Sequence, residues 1–412
     1  MCSTFNSMYG DERQLTLYPY TPAEPHGSQQ YARNPLPPDL PSGWIRNFDP
    51  SKPVPLNRQA TIKITELLSG GKNSKGQVLL CSVVSAPGRQ DSGRPIPGDL
   101  KHIVAKVFDP KFYGSRCGGP FESSEKAADA NLAREAGAYK YLFEHNLTGG
   151  MQLVPEYYGC WATKFKVGKN KDGIVKYRCV GLILMEYVAG TSIEGVCEHD
   201  EDTDLLIPDD VELTWGTYDD AEDEKDCLDL DLALRKAVMR MAIRGIVQHS
   251  HVGIEHFVIS PKNLFITICK DAEGNLVPRT VMLDYTLTQV WCKTKYATDP
   301  NEGPQHCLQL LPHPVHPLER FSAVALEEFM GWYPLAPWKW SKKKQEYLYD
   351  KKSITTFGPL VEGKNDKGEY YSTFATLDEI QRTMEEEEEE ESKMEVEEEE
   401  EKSDEELDTT EI

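Results

Sequence analysis

The chain has 412 residues, 39% of them hydrophobic, and a formal charge of −23. No run of ~18 apolar residues occurs, which excludes a membrane-spanning helix. The ten cysteines include no C-x-x-C pair, which argues against a zinc ribbon, a thioredoxin-like site or a disulfide scaffold and predicts reduced thiols, in cytosol or nucleus. Met1–Gly10 carries neither the basic nor the apolar region of a secretory signal. Residues 1–55 are rich in Pro, Ser, Asn and Tyr without a sustained period, and Pro35, Pro37, Pro38 and Pro41 would break a helix; an irregular arm is expected. Strand patterns follow, with Ile62, Ile64 and Leu67 in one run and Gln77–Val84 β-branched and apolar. Pro87–Gly98 reads as a turn-rich loop and Ile103–Phe108 as a short strand holding Lys106. Leu132, Ala136, Tyr139 and Phe143 recur at helical spacing within Glu125–Glu144. Val154–Ala162 and Val180–Val188 are two further strands, with a hairpin near Lys171-Asp172-Gly173. Leu234, Val238, Met241 and Val247 form one stripe of a helix over Leu230–Ser250. Leu264–Ile268 and Thr280–Leu283 are strands joined by a turn at Asp271–Asn275, and Glu319–Met330 is a last helix. This order predicts an α+β chain, a small sheet domain followed by a helical one.

The acidity is local. Met384–Ile412 holds eighteen acidic residues and two lysines; Glu198–Asp231 holds sixteen and one. Without these two runs the chain carries a net +8. Like charges repel and bury little, so both read as solvated segments. The sharper alternative is an acidic arm that covers the basic body or binds a basic protein partner; neither a membrane nor a nucleic acid is expected as partner.

Six features carry chemistry. Gly71-Lys72-Asn73-Ser74-Lys75-Gly76-Gln77-Val78 lies between two predicted strands. Its glycines would let backbone N–H groups approach phosphate, although a plain hairpin turn is the other reading. It is no Walker A loop, because Gln77 follows Gly76. Lys106 in Val104-Ala105-Lys106-Val107 is a lysine within an apolar strand, which needs a partner or a route to water. Glu135 on the following helix could pair with it or face solvent. Leu182–Gly190 is an apolar strand ending in a linker; His256–Asn263 follows the long helix; Leu283-Asp284-Tyr285-Thr286 ends a strand. An asparagine and a carboxylate at neighbouring strand ends can share a magnesium ion.

In this order the six features resemble the protein kinase superfamily over about Ile62–Tyr285 and as far as Trp340. A narrower likeness, to the divergent kinase-like proteins expanded in filamentous fungi, rests on the C-terminal half as a whole. The resemblance implies a bilobal fold with a small N-terminal β-sheet lobe (56–188) and a reduced, mainly helical C-terminal lobe (189–340), with the acidic insertion 198–231 inside it. An irregular extension (341–383) and the acidic tail (384–412) follow. It implies ATP and Mg²⁺ as cofactors. Gly71, Gly76, Val78 and Ala105 would surround the nucleotide. Lys106 would match the strand lysine and Glu135 its helix partner. Met185 would stand as gatekeeper, with Glu186 and Val188 in the hinge that meets the adenine. Asn263 and Asp284 would hold the metal.

Departures from the family pattern bear on activity. Val258, five residues before Asn263, stands where the family has its catalytic aspartate, and the lost general base is worth ~10²–10⁴ in rate. Glu255 precedes the motif histidine and would point elsewhere. Phe257 replaces the arginine that meets a phosphorylated activation segment, Tyr285 and Thr286 replace the phenylalanine and glycine of D-F-G, and no A-P-E follows. The expected function is a catalytically impaired, nucleotide-binding scaffold or regulator. The alternative is a weakly active serine/threonine-type kinase that works through positioning alone.

Overall fold

Alternation of buried and half-exposed residues makes Ala60–Ser69 (β2) and Gln77–Ser85 (β3) antiparallel neighbours, with Thr61 opposite Ser85 and Ser69 opposite Val78. They belong to the largest sheet of a computed structural model. It describes residues 8–28, 31, 43, 45–71, 74, 76–90, 92–98, 100–113, 123–169, 171, 173–200, 205–214, 227–271, 273–298 and 328–332. Ile103–Phe108 (β4) pairs with β3 and with Val175–Glu186 (β6), and Tyr157–Lys169 (β5) pairs with β6. Gln14–Pro19 (β1) pairs with β2 on one side and β5 on the other. That sixth strand closes the sheet into a barrel.

This corrects the expected architecture. The described residues are dominated by a closed six-stranded antiparallel barrel, with two α-helices in all, and do not form a bilobal fold with a mainly helical C-terminal lobe. Two features account for the difference. First, residues 1–55 contain a strand: Leu15 and Leu17 alternate with exposed neighbours and are buried inside the barrel. Second, the half after β6 has one described helix among short sheets. The expected helix Glu319–Met330 falls largely outside the described residues, as do 341–383 and the acidic tail.

The barrel interior is filled by Leu17, Ile62, Leu79, Ala105, Val107, Trp161, Leu182 and Leu184. The valine, leucine and isoleucine side chains among them, fully buried, contribute about 1.5–3 kcal/mol each. The alternate residues of β4 and β6, among them Val104, Phe108, Ile183 and Met185, face outward into a second core. The first helix, α1 (Ser124–Glu144), packs there. Ser123 caps it by accepting from the Lys126 N–H, and Glu125 complements the helix dipole in the first turn.

Past β6, Gly190–Ser192 (β7) joins the hairpin of Leu264–Lys270 (β13) and Leu276–Met282 (β14). The second helix, α2 (Leu232–His251), lies against β14, capped by the Asp231 carboxylate on the Leu234 N–H at 2.7 Å. Gly245 on α2 allows close approach: a Cβ there would come within 2.7 Å of the Leu153 Cβ. The described parts of the acidic insertion form short sheets. Cys197–His199 (β8) pairs with Leu206–Pro208 (β9), and Glu212–Thr214 (β10) with Cys227–Asp229 (β11). Leu206, Leu213 and Leu230 are buried, so these parts pack into the body and are not the solvated run expected from charge. Ile254–His256 (β12) pairs with Thr288–Val290 (β15). Among the described residues no helix is long and apolar enough to cross a membrane.

Candidate functional site

Lys106 sits on the outward face of β4, above α1. Its Nζ donates to the Glu135 carboxylate at 2.7 Å and to Asp284 Oδ1 at 2.8 Å. Glu135 is fully buried, whereas the Asp284 side chain is 49% exposed. Burial works against the Lys106 charge, but the two carboxylates more than reverse this and raise its pKa. The Lys106 charge, aided by hydrogen bonds from Thr286, holds Asp284 well below the usual carboxylate range. Burial pushes Glu135 up while Lys106 opposes it.

The β13–β14 register explains how a distant asparagine joins this group. Leu264 lies opposite Met282, and the next residue pair is tied by the Leu283 N–H donating to the Asn263 carbonyl at 2.8 Å. Asn263 and Asp284 therefore share one end of the hairpin. Asp284 adopts φ 63°, a left-handed conformation tolerated by aspartate. Its Oδ1 is engaged by Lys106 and the Thr286 hydroxyl. The Asn263 amide has no described side-chain partner. No cluster of three or more His, Cys, Asp or Glu that could hold a metal occurs among the described residues. Magnesium carried in by phosphates needs only one or two protein oxygens, and Asn263 with Asp284 fits that requirement.

These residues line a cleft of about 510 Å³. Val78, Val104, Met185 and Phe265 make its apolar walls, and Gly76, Glu186 and Val188 also border it. The Glu186 carboxylate is held by Arg279 at 2.5 and 3.0 Å and by the Glu156 N–H at 2.9 Å. Among the described residues no backbone hydrogen bond uses the Val188 N–H.

Two expected nucleotide contacts are corrected. Ala105 points into the barrel interior, because strand neighbours face opposite ways; Val104, two before Lys106 by face and not by motif letter, lines the cleft. Gly71 does not border the cleft: its N–H donates to Gln77 Oε1 at 2.6 Å and its carbonyl accepts from Gln77 Nε2 at 3.1 Å, closing the hairpin on itself. Lys72, Asn73 and Lys75 lie outside the described residues. Val258 is 44% exposed and borders no part of the cleft. Glu255 is taken into the β12–β15 pairing opposite Gln289 and does not substitute for it. The three carboxylates that border the cleft, Glu135, Asp284 and Glu186, are all engaged by cations.

Several contributors escaped the sequence reading. The Thr286 hydroxyl, in the place of a glycine, meets both Glu135 and Asp284. Behind it runs a ring stack: Tyr157 on Tyr139 at 5.9 Å, Tyr139 on Tyr285 at 5.0 Å, and Tyr285 on His256 at 5.2 Å. Tyr139 was visible as part of the apolar stripe of α1; Tyr157 comes from β5, and Tyr285 from the segment between β14 and β15. His256 continues the stack to His249, 2.9 Å between ring nitrogens. Compared with known proteins, the chain matches no family model and no curated protein.

Proposed function

We propose that the cleft binds a nucleoside triphosphate with Mg²⁺ and that the protein, kinase-like in its site residues, acts through binding and not through efficient phosphoryl transfer. One observation carries this reading: Lys106 is held between Glu135 and Asp284 in a cleft also bordered by Val188, whose N–H makes no backbone hydrogen bond among the described residues. Phosphate needs a fixed cation, and an adenine needs an apolar slot with backbone donors and acceptors; both are available here. The missing step is proton handling. Val258 can neither accept nor orient a hydroxyl proton, and among the described residues every carboxylate that borders the cleft is engaged by a cation. Mg²⁺, when bound, would neutralise phosphate charge; Asn263 and Asp284 would hold it. Function in the cytosol or nucleus, as a scaffold or regulator with a basic protein partner on an acidic segment, belongs to the same reading.

The test is thermal shift with ATP, with and without Mg²⁺, beside autophosphorylation with labelled ATP. Binding raises apparent stability as RT ln(1 + [L]/Kd). A nucleotide-dependent shift without label transfer supports the proposal. No shift at millimolar ATP would remove it, and robust transfer would favour a weakly active kinase, whose chemistry in this class is largely positioning and electrostatics.

A further inference from the structure

Arg134 precedes Glu135 on α1, and its guanidinium is shared among separate segments. Nε donates to the Thr286 carbonyl at 3.1 Å. Nη1 donates to the carbonyls of His26 and Gly27 at 3.0 and 3.1 Å, and Nη2 donates to Asn131 Oδ1. The N-terminal segment it holds is fastened to α1 independently. His26 Nε2 is 3.2 Å from Asp129 Oδ2, which also accepts from Arg46 Nε at 2.6 Å. Gly27 adopts φ +77°, and a Cβ there would come within 2.7 Å of the Ala130 Cβ and 3.2 Å of Arg134 Nη1. Pro25 lies so close to Gly137 that a Cβ on that glycine would meet its ring at 2.7 Å.

Apart from Thr286, none of these residues borders the cleft. Yet the residue whose carbonyl Arg134 fixes, Thr286, uses its hydroxyl to contact both carboxylates that hold Lys106. We infer that Arg134 is a positioning residue for the nucleotide site, and that residues 25–28 are part of its support, coupled through Arg134 to Thr286. The inference rests on the nucleotide-binding reading. Its physical basis is the planar fork of arginine, which holds several acceptors in one fixed arrangement; a lysine ammonium does not reproduce that geometry. Coupling is reciprocal. If order at residues 25–28 strengthens ligand binding, ligand binding favours that order by the same free energy.

The experiment uses the full chain, the variants Arg134→Lys and Gly27→Ala, and MgATP as probe. Amide hydrogen exchange is read at residues 25–28 and 284–288, and affinity by calorimetry. In the wild type, MgATP is expected to slow exchange at 25–28, although those residues do not touch the cleft. Each variant is expected to speed exchange at 284–288 without nucleotide and to weaken MgATP by roughly tenfold, a typical coupling. Arginine with only a structural role would lower the melting temperature in Arg134→Lys and leave exchange at 284–288 at the wild-type rate; that result overturns the inference. If the wild type binds no MgATP, the function reading fails, and exchange at 284–288 in the unliganded variants still decides the coupling. Should one variant not fold, the other carries the same comparison.

Discussion

The Thr286 hydroxyl lies 2.7 Å from Glu135 Oε2 and 2.6 Å from Asp284 Oδ1, so one side chain spans the two carboxylates that share Lys106. A single hydroxyl proton serves two acceptors, and the glycine expected at this position would serve neither.

Thr286→Val is therefore predicted to remove a partner from a fully buried carboxylate at nearly constant volume. Losing a hydrogen bond to a charged buried group costs about 1.5–3 kcal/mol. Urea unfolding measures this; a change under ~0.5 kcal/mol would mean that the hydroxyl is incidental.

Lys106→Met tests the pair itself. It leaves Glu135 buried without its cation, and breaking a buried pair from one side typically costs about 3–5 kcal/mol. The double variant Lys106→Met with Glu135→Gln removes both charges and should recover part of that loss. Double-mutant-cycle unfolding reads the difference. Equal destabilisation in the single and double variants would show that Glu135 does not depend on Lys106.

Val258→Asp alone is predicted not to create an efficient kinase. Val258 is exposed and apart from the cleft, Phe257 beside it is also exposed, and Thr286 engages Asp284. Label transfer should stay far below ~1 s⁻¹, the low end for kinases. Turnover near that rate would show that the missing aspartate was the dominant defect.

The convergence of Lys106, Glu135, Asn263 and Asp284 was legible because each sits on a strongly periodic element or at the end of one. The helical stripe of α1 orients Glu135, and the β13–β14 hairpin brings Asn263 beside Leu283. Barrel closure was not legible. β1 meets β5 through Tyr18 opposite Ala162, about a third of the chain apart, and prolines (Pro19, Pro22, Pro25) crowd its C-terminal end. Tyr9 donates to Asp109 at 2.8 Å, and Asp109 also accepts from Arg178, a set that no local pattern announces. For Ala105 the reading followed a motif letter where the two-residue period of a strand would have pointed to Val104.

The acidic insertion supplies a prediction with its own control. Leu206 and Ile207 are neighbours on β9, the first buried and the second 47% exposed. The Leu206 N–H also donates to the Met330 carbonyl at 2.9 Å. Leu206→Ala should cost about 2–5 kcal/mol, as for core leucines. Ile207→Ala should stay within about 0.5 kcal/mol. Thermal melts of the two would be indistinguishable if the insertion were merely solvated.

Acid sensitivity is predicted to arise in part at His249. Burial drops its pKa from 6.5 to about 3, and its ring meets His256 and Tyr285. Between these values the unfolded chain binds a proton that the folded one refuses. Stability therefore rises with pH through that window and falls on acidification below about 6.5. At pH 5 the loss from this residue amounts to about 2 kcal/mol. His249→Asn keeps a polar atom near His256 but cannot titrate. Urea unfolding at pH 5 and pH 7.5 should show a smaller pH difference in the variant than in the wild type. An unchanged difference would place the acid sensitivity of this range elsewhere than His249; the depressed Asp284 adds its own loss only at lower pH, below the ordinary carboxylate range.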